Sequence, residues 1–448
     1  MKKTGTIDFT RGHMLKNFII FVIPIIFAGL VQMFFNATDL IVTGQFIDAN
    51  AMAAVGATSS LVSLILALAI GLSVGANVVA SIFIGSGNKD MVKKAVDTSV
   101  LTAIGCGVLC TTVGILGARP LLILMKTPAE ILDMAVIYFR VLFIGIPAQM
   151  LYNFCSAILR AAGETRKPLM CLVIAAASNV VLDILLVKVW GVAGIALATA
   201  ITQYMSAALV LGHMVKCDEI YKFTLKKITP SFTVFKRILT VGLPSGLQSM
   251  VFSLSNIIIQ SAVNSLGPDV VAGNAAASNI ENFVYIAMNA FSVAATTITG
   301  QNMGAKQFKR VDKLLGEAVI MVTIIGVTLG AVTYMFGEPL AKLYCPDNPD
   351  AIKYSMVRFL WITIPYFLCG IMEVFTGILK SCGSALSSMI ISLVFCCGVR
   401  IIWIYTVFES LKTLESIYVS YLITWILAII FNGLIYFFSA RKRMNKMV

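Results

Sequence analysis

Four acidic side chains fall inside long apolar runs of this chain: Asp39, Asp183, Glu281 and Glu373. A charge at mid-membrane costs about 2.5–3.5 kcal/mol on insertion scales, so each is a candidate for function. Asn179 precedes Asp183 by four residues, one helical turn, which places both on one face. At 1.5 Å per residue, Asp39 lies about 10 Å from the end of the first run and Asp183 about 9 Å from the end of the fifth. Asn153 lies about 9 Å from the opposite end of the fourth. These depths allow Asp39, Asn153, Asn179 and Asp183 to converge on a cavity. Two carboxylates at close range cannot both ionise freely. Such a pair shares a proton, or holds a sodium ion at Asp39, Asp183 and Asn179 with help from amide oxygens. The rival reading is a structural hydrogen-bond network, and buried acids with no permanent cation partner weigh against it.

The second half carries other groups. Glu281 with Gln248 and Asn256 is a candidate cavity lining. Glu373 and Arg400, in the tenth and eleventh runs, are expected to form an ion pair, either structural or substrate-binding. Pro24, below Asp39 in the first run, frees a backbone carbonyl and marks a static bend or a hinge.

The elements that must position these residues are membrane spans. Of 448 residues, 59% are hydrophobic and 12% charged, with mean hydropathy +0.92. No soluble domain hides that much apolar surface. About twenty residues of helix cross a hydrocarbon core, and twelve runs reach that length. In lipid such runs must be helical, because every amide needs an internal partner. The fold class is an all-α integral membrane protein of twelve helices in two six-helix lobes. The third and ninth spans are expected at about 95–117 and 316–337.

The halves echo each other. Pro128, Arg140 and Pro147 recur 218 positions later as Pro346, Arg358 and Pro365. Leu159–Gly163 recurs as Leu379–Gly383, and Ile84–Gly87 in looser form as Met303–Lys306. A duplicated helical bundle is a common build of carriers. The expected division is an amino-terminal lobe at 1–215, a basic linker at 216–236 and a carboxyl-terminal lobe at 237–448. Short outer loops are expected at Gln45–Ala51, Leu266–Val271, Tyr344–Ala351 and Glu409–Glu415.

The net charge of +13 is not spread as a nucleic-acid surface would be. Lys and Arg cluster in alternate connections, which by the positive-inside rule puts both termini in the cytoplasm. The ten cysteines show no CxxC spacing and sit mostly within apolar runs. The two histidines, His13 and His213, lie near span ends. A His-based metal site and disulfide chemistry are therefore not expected. No secretory leader is expected either, since the first apolar run is too long. No GxxxxGK[ST] segment cradles ATP and no Ser/His/Asp set is visible, so the energy must come from an ion gradient or a partner.

Several motifs resemble the multidrug and toxic compound extrusion (MATE) family. Gly300-Gln301-Asn302-Met303-Gly304-Ala305 is similar to its GQNxGA signature, and Leu159-Arg160-Ala161-Ala162-Gly163 to its LRAxG motif. Asn179–Asp183 resembles its NxxLD, and Pro24 with Asp39 its first-helix proline and acid. The resemblance implies an antiporter that exports amphipathic, often cationic, organic compounds in exchange for protons or sodium ions. It implies no enzyme, cofactor, ATP or nucleic-acid partner, a monomer in the cytoplasmic membrane, and two lobes that rock between states. By position, Asp39, Asn153, Asn179 and Asp183 match the ion site of the DinF-like branch. Phe35 stands where that branch often has tyrosine. Phe252 stands where the NorM-type branch has a seventh-helix glutamate, so the chain resembles the DinF-like branch more closely. A flippase of a lipid-linked precursor, from the same superfamily, is the alternative; it is expected to show extra spans and a cationic cavity.

Overall fold

The computed structural model describes residues 6–46 and 49–445. The outer loop expected at Gln45–Ala51 includes residues 47 and 48, which lie outside them. Among the described residues the regular structure is helical, with no strand. Twelve long elements result, besides a short helix at Gly337–Lys342: α1 (Met14–Phe46), α2 (Ala49–Gly85), α3 (Lys89–Leu124), α4 (Ala129–Ile144 with Ile146–Ala161), α5 (Arg166–Trp190) and α6 (Val192–Lys216). They continue as α7 (Phe232–Asn264), α8 (Pro268–Gly304), α9 (Phe308–Met335), α10 (Pro349–Ser381), α11 (Ala385–Leu411) and α12 (Leu414–Asn445). Eleven are single apolar helices long enough to cross a membrane, and α4 is a pair bent by 41°.

Several helices outrun the hydrocarbon. The 36 residues of α3 span about 54 Å at 1.5 Å each, against a core of about 30 Å. Its first turns, with Lys89, Asp90, Lys93 and Lys94, are too polar for lipid yet stay helical. Asn88 caps them, accepting from Met91 N at 3.1 Å. This is why α3 begins at Lys89 rather than near 95, and α9 at Phe308 rather than near 316.

By Cα packing the chain divides into two units, 1–8 with 23–246 and 9–22 with 247–448. One division falls beside Pro24, through which α1 continues as helix. The other falls at Gly246–Leu247, inside α7, whereas composition marks a join at 216–236. Residues 217–231 between α6 and α7 are pinned to α3. Thr229 donates from N and Oγ1 to Asp97 Oδ2 at 2.8 and 3.1 Å, and Ser231 N to Thr98 Oγ1 at 3.0 Å. Tyr221 and Phe223 add apolar burial.

The repeat is visible in the backbone. Gly87 and Lys306 both take positive φ, at 69° and 57°, and so do Gly163 and Gly383, at 81° and 77°. Those pairs stand 219 and 220 positions apart. Large apolar side chains point outward, as with Leu124 and Phe438, which suits a lipid surround.

The bend in α4 has a local cause. Pro147 has no N–H to give the carbonyl of Phe143, four residues back. Thr111 Oγ1 on α3 donates to that oxygen instead, at 2.8 Å. Bare α3 surface receives the bent helix: a Cβ on Gly107 would stand 2.6 Å from Pro147 Cα, and one on Gly114 would stand 1.8 Å from the Phe143 ring. Gly114→Ala is therefore expected to cost about 1–3 kcal/mol by overpacking. Gly105→Ala, whose Cβ meets nothing within 4 Å, should cost nothing. Thermal unfolding of the two purified variants in detergent checks the contrast.

Candidate functional site

Three helices of the first unit bring polar groups to one level. Asp39 on α1, Asp183 on α5 and Thr199 on α6 each lie seven residues from a helix end, at Phe46, Trp190 and Val192. That is about 10 Å of helix in each case. The α5–α6 turn fixes two of them in register, through Gly191 at φ 56° and the bare Gly194 against Leu186 O. Val42, Val187 and Ile195 pack together. They lie three or four residues beyond Asp39, Asp183 and Thr199, towards those ends. Burial of this patch holds the three helices where their polar groups meet.

The polar groups form one cluster. Asn179 and Asp183 are fully buried, Thr199 nearly so and Asp39 half-buried. Thr199 Oγ1 donates to Asp39 Oδ2 at 3.2 Å. Asn179 Nδ2 donates to Asp183 Oδ1 at 3.4 Å, and with its amide turned over it would donate to Asp39 Oδ1 and Asp183 Oδ2, each at 3.1 Å. The two carboxyl groups lie within hydrogen-bonding reach of each other. Tyr138 on α4, also buried, stands close enough to feel both charges. It is seated by Val55, Leu142, Val192 and Ala196.

Among the described residues no Lys, Arg or His forms an ion pair with Asp39 or Asp183, and no group of three His, Cys, Asp or Glu could hold a metal ion. The chemistry on offer is the holding of one positive charge between two acids. A proton can be shared by the two acids. A sodium ion needs the amide turned so that its oxygen faces inward.

Asn153, half-buried on the second segment of α4, makes no hydrogen bond to the cluster. Phe35 is buried on α1, one turn before Asp39. Thr199 and Tyr138 carry no formal charge and were not singled out from the sequence; the signal that finds Thr199 is its equal depth.

In the second unit the expected pairing of Glu373 with Arg400 is not made. Arg358 Nε instead donates to Glu281 Oε2 at 2.8 Å, and its Nη1 to Asn274 Oδ1 at 2.6 Å. Tyr418 OH donates to the same Asn274 oxygen at 2.9 Å. Close approach of α8 and α10 decides this: a Cβ on Gly273 would stand 2.3 Å from Ala351 O, and Ser355 Oγ donates to Gly273 O at 2.9 Å. About two turns further along both helices, Arg358 meets Glu281. The expected lining of Glu281, Gln248 and Asn256 does not assemble either. Gln248 Nε2 donates to Ser392 Oγ at 2.8 Å, and Asn256 is exposed on α7.

The ion pair is buried on both sides. Arg358→Ala would strand Glu281 and is expected to cost about 3–5 kcal/mol, whereas Arg358→Met with Glu281→Leu should recover most of it. Thermal unfolding of the single and double variants measures the difference.

The MatE family profile matches the chain twice, over residues 24–185 and 244–406. The "Probable multidrug resistance protein YpnP" of Bacillus subtilis (strain 168) is 29% identical over 389 residues, covering 86% of this chain and 87% of that protein. The "Probable multidrug resistance protein NorM" of Thermotoga maritima is 27% identical, covering 85% and 82%. The structure titled "Outward-facing conformation of a multidrug resistance MATE family transporter of the MOP superfamily" aligns with TM-score 0.90 at 23% identity, covering 100% and 99%.

Proposed function

The chain belongs to the MatE family, and from that premise we propose that it is an ion-coupled antiporter that exports amphipathic or cationic organic compounds. Its relatives are named for multidrug resistance, and it is a multi-pass membrane transporter rather than an enzyme. The observation that carries the coupling is a pair of acids in mutual reach, inside an apolar bundle, with no fixed cation among the described residues.

In this reading the Asp39–Asn179–Asp183 cluster loads a cation at one face of the membrane and releases it at the other. The loaded pair is neutral enough to be enclosed by helices; the unloaded pair favours hydration. Cation and compound drive exchange only if each binds two conformations with different affinity. Pro24, fifteen residues before Asp39 on α1, is the proposed hinge. The coupling ion is taken to be a proton, which two facing carboxyl groups can share without further ligands; sodium is the alternative. Clustered Lys and Arg in alternate connections orient both termini to the cytoplasm. Phe252 in place of a seventh-helix acid supports a DinF-like affiliation. The lipid-precursor flippase is not favoured, since the relatives named above are multidrug resistance proteins.

Asp39→Asn and Asp183→Asn keep size and hydrogen bonding while removing the exchangeable charge. Each is expected to lower gradient-driven dye efflux from proteoliposomes more than tenfold, with unchanged elution of the purified protein. An imposed proton gradient should drive wild-type efflux where a sodium gradient does not. Normal pumping by both variants would overturn the site, and efflux driven by sodium alone would overturn the proton.

A further inference from the structure

The Gly300–Ala305 motif has no part in the Asp39–Asp183 cluster, which belongs to the other unit. Its two amide side chains, Gln301 and Asn302, are buried at the end of α8. Buried amides need partners, and both find one outside the helix. Gln301 Oε1 accepts from Phe9 N at 3.1 Å, and Asn302 Nδ2 donates to Phe9 O at 3.3 Å. Arg310, in the first turn of α9, donates from Nη2 to Phe9 O at 3.1 Å and to Gly12 O at 3.3 Å. Its Nε donates to Asn302 Oδ1 at 3.2 Å. Side chains of α8 and α9 thus hold both backbone groups of Phe9.

Residues 9–12 precede α1 and are not helical, so their amides and carbonyls are open to such partners. The strap they form runs straight into the helix. Asn17 Nδ2 donates back to Arg11 O at 3.4 Å. The buried Phe9 ring meets Phe21 edge to face at 5.0 Å, and the Phe18 ring lies 5.6 Å from that of Phe291 on α8. Polar and apolar contacts together fix the foot of α1 to the end of α8.

The other half lacks this grip. The residues 219 positions before Gln301, Asn302 and Arg310 are Ile82, Phe83 and Met91, none of which has a side chain that can hold a backbone amide or carbonyl. The segment leading into α7 is held by Asp97 and Thr98 of α3 instead. Two amides and a guanidinium stand where a strap is present to occupy them.

We propose that Gln301, Asn302 and Arg310 are positioning residues for ion coupling: they clamp residues 9–12 and so fix the foot of α1, against which the part of the helix that carries Asp39 turns at Pro24. The chain divides where such a hinge requires it, since residues 9–22 pack with the second unit and those from 23 with the first. A bend displaces Asp39 from its neighbours only if the other arm of the helix stays put. The proposal rests on the export reading for its consequence and adds to it the residues that hold the hinge.

Hydrogen–deuterium exchange of the full chain in detergent, read by mass spectrometry, reports the strap. Dye efflux from proteoliposomes under a proton gradient reports the coupling. Gln301→Ala is expected to speed exchange over residues 6–13 at least tenfold, with α8 and α9 protected as in the wild type, and to lower efflux at least fivefold. Gln301→Glu keeps an acceptor for the Phe9 N–H and should stay within twofold of the wild type in both. Efflux at the wild-type rate from a freely exchanging strap overturns the proposal. So does unchanged exchange in Gln301→Ala, or lost efflux in Gln301→Glu with the strap still protected. If Gln301→Ala does not fold, Phe9→Ala, which leaves α8 and α9 intact, should show the same two effects; a freed strap with undiminished efflux there also overturns it. Asp183→Asn separates the two readings, because it should stop efflux and leave exchange of the strap unchanged. A wild type that does not pump sinks the export reading, and the docking of the strap is then decided by exchange alone.

Discussion

Ionised side chains in a low-dielectric interior are costly unless opposite charge or hydrogen bonds replace the water they lose. Each unit of this protein answers that demand in its own way. In the second, Arg358 and Glu281 cancel each other, and Asn274 and Tyr418 fill the remaining hydrogen-bonding positions. In the first, Asp39 and Asp183 face one another with only a neutral amide and hydroxyls for company. The ion pair is complete within the protein. The acid pair has no such internal counter-charge among the described residues.

Apolar packing sets the geometry of the incomplete site. The Val42, Val187 and Ile195 patch lies beyond the polar level, so the helices converge for reasons independent of the charge they hold. On the coupling proposed above, such a site would release its cation without losing the scaffold that recruits the next one. Tyr138, seated by its own apolar neighbours on α2, α4 and α6, closes another side.

Much of this was legible in the sequence because lipid is a demanding solvent. An acid inside a span is conspicuous by its cost, so Asp39 and Asp183 stand out, and helical spacing adds Asn179. Twelve spans follow from apolar run length, and the duplication from recurring prolines, glycines and arginines. What stayed hidden is cheap or depends on approach. Thr199 and Tyr138 are hydroxyl residues that a span tolerates at little cost. The partner of Glu281 depends on how closely α8 and α10 pack, which Gly273 decides. Run length and spacing do not give that distance. Nor do they announce the π-helical turns that bracket Arg400. The helix starts at Lys89 and Phe308 were missed because polarity marks where lipid ends, not where hydrogen bonding does.

The left-handed turns after α2 and α8 share a torsion without sharing a residue. At the second of them a lysine stands where its counterpart in the other half is glycine. An L-residue held there is strained by about 1–2 kcal/mol, so chemical comfort does not account for that torsion. What the two halves share at this turn is the angle rather than the letter, and backbone torsion matches across the repeat where the side chains do not.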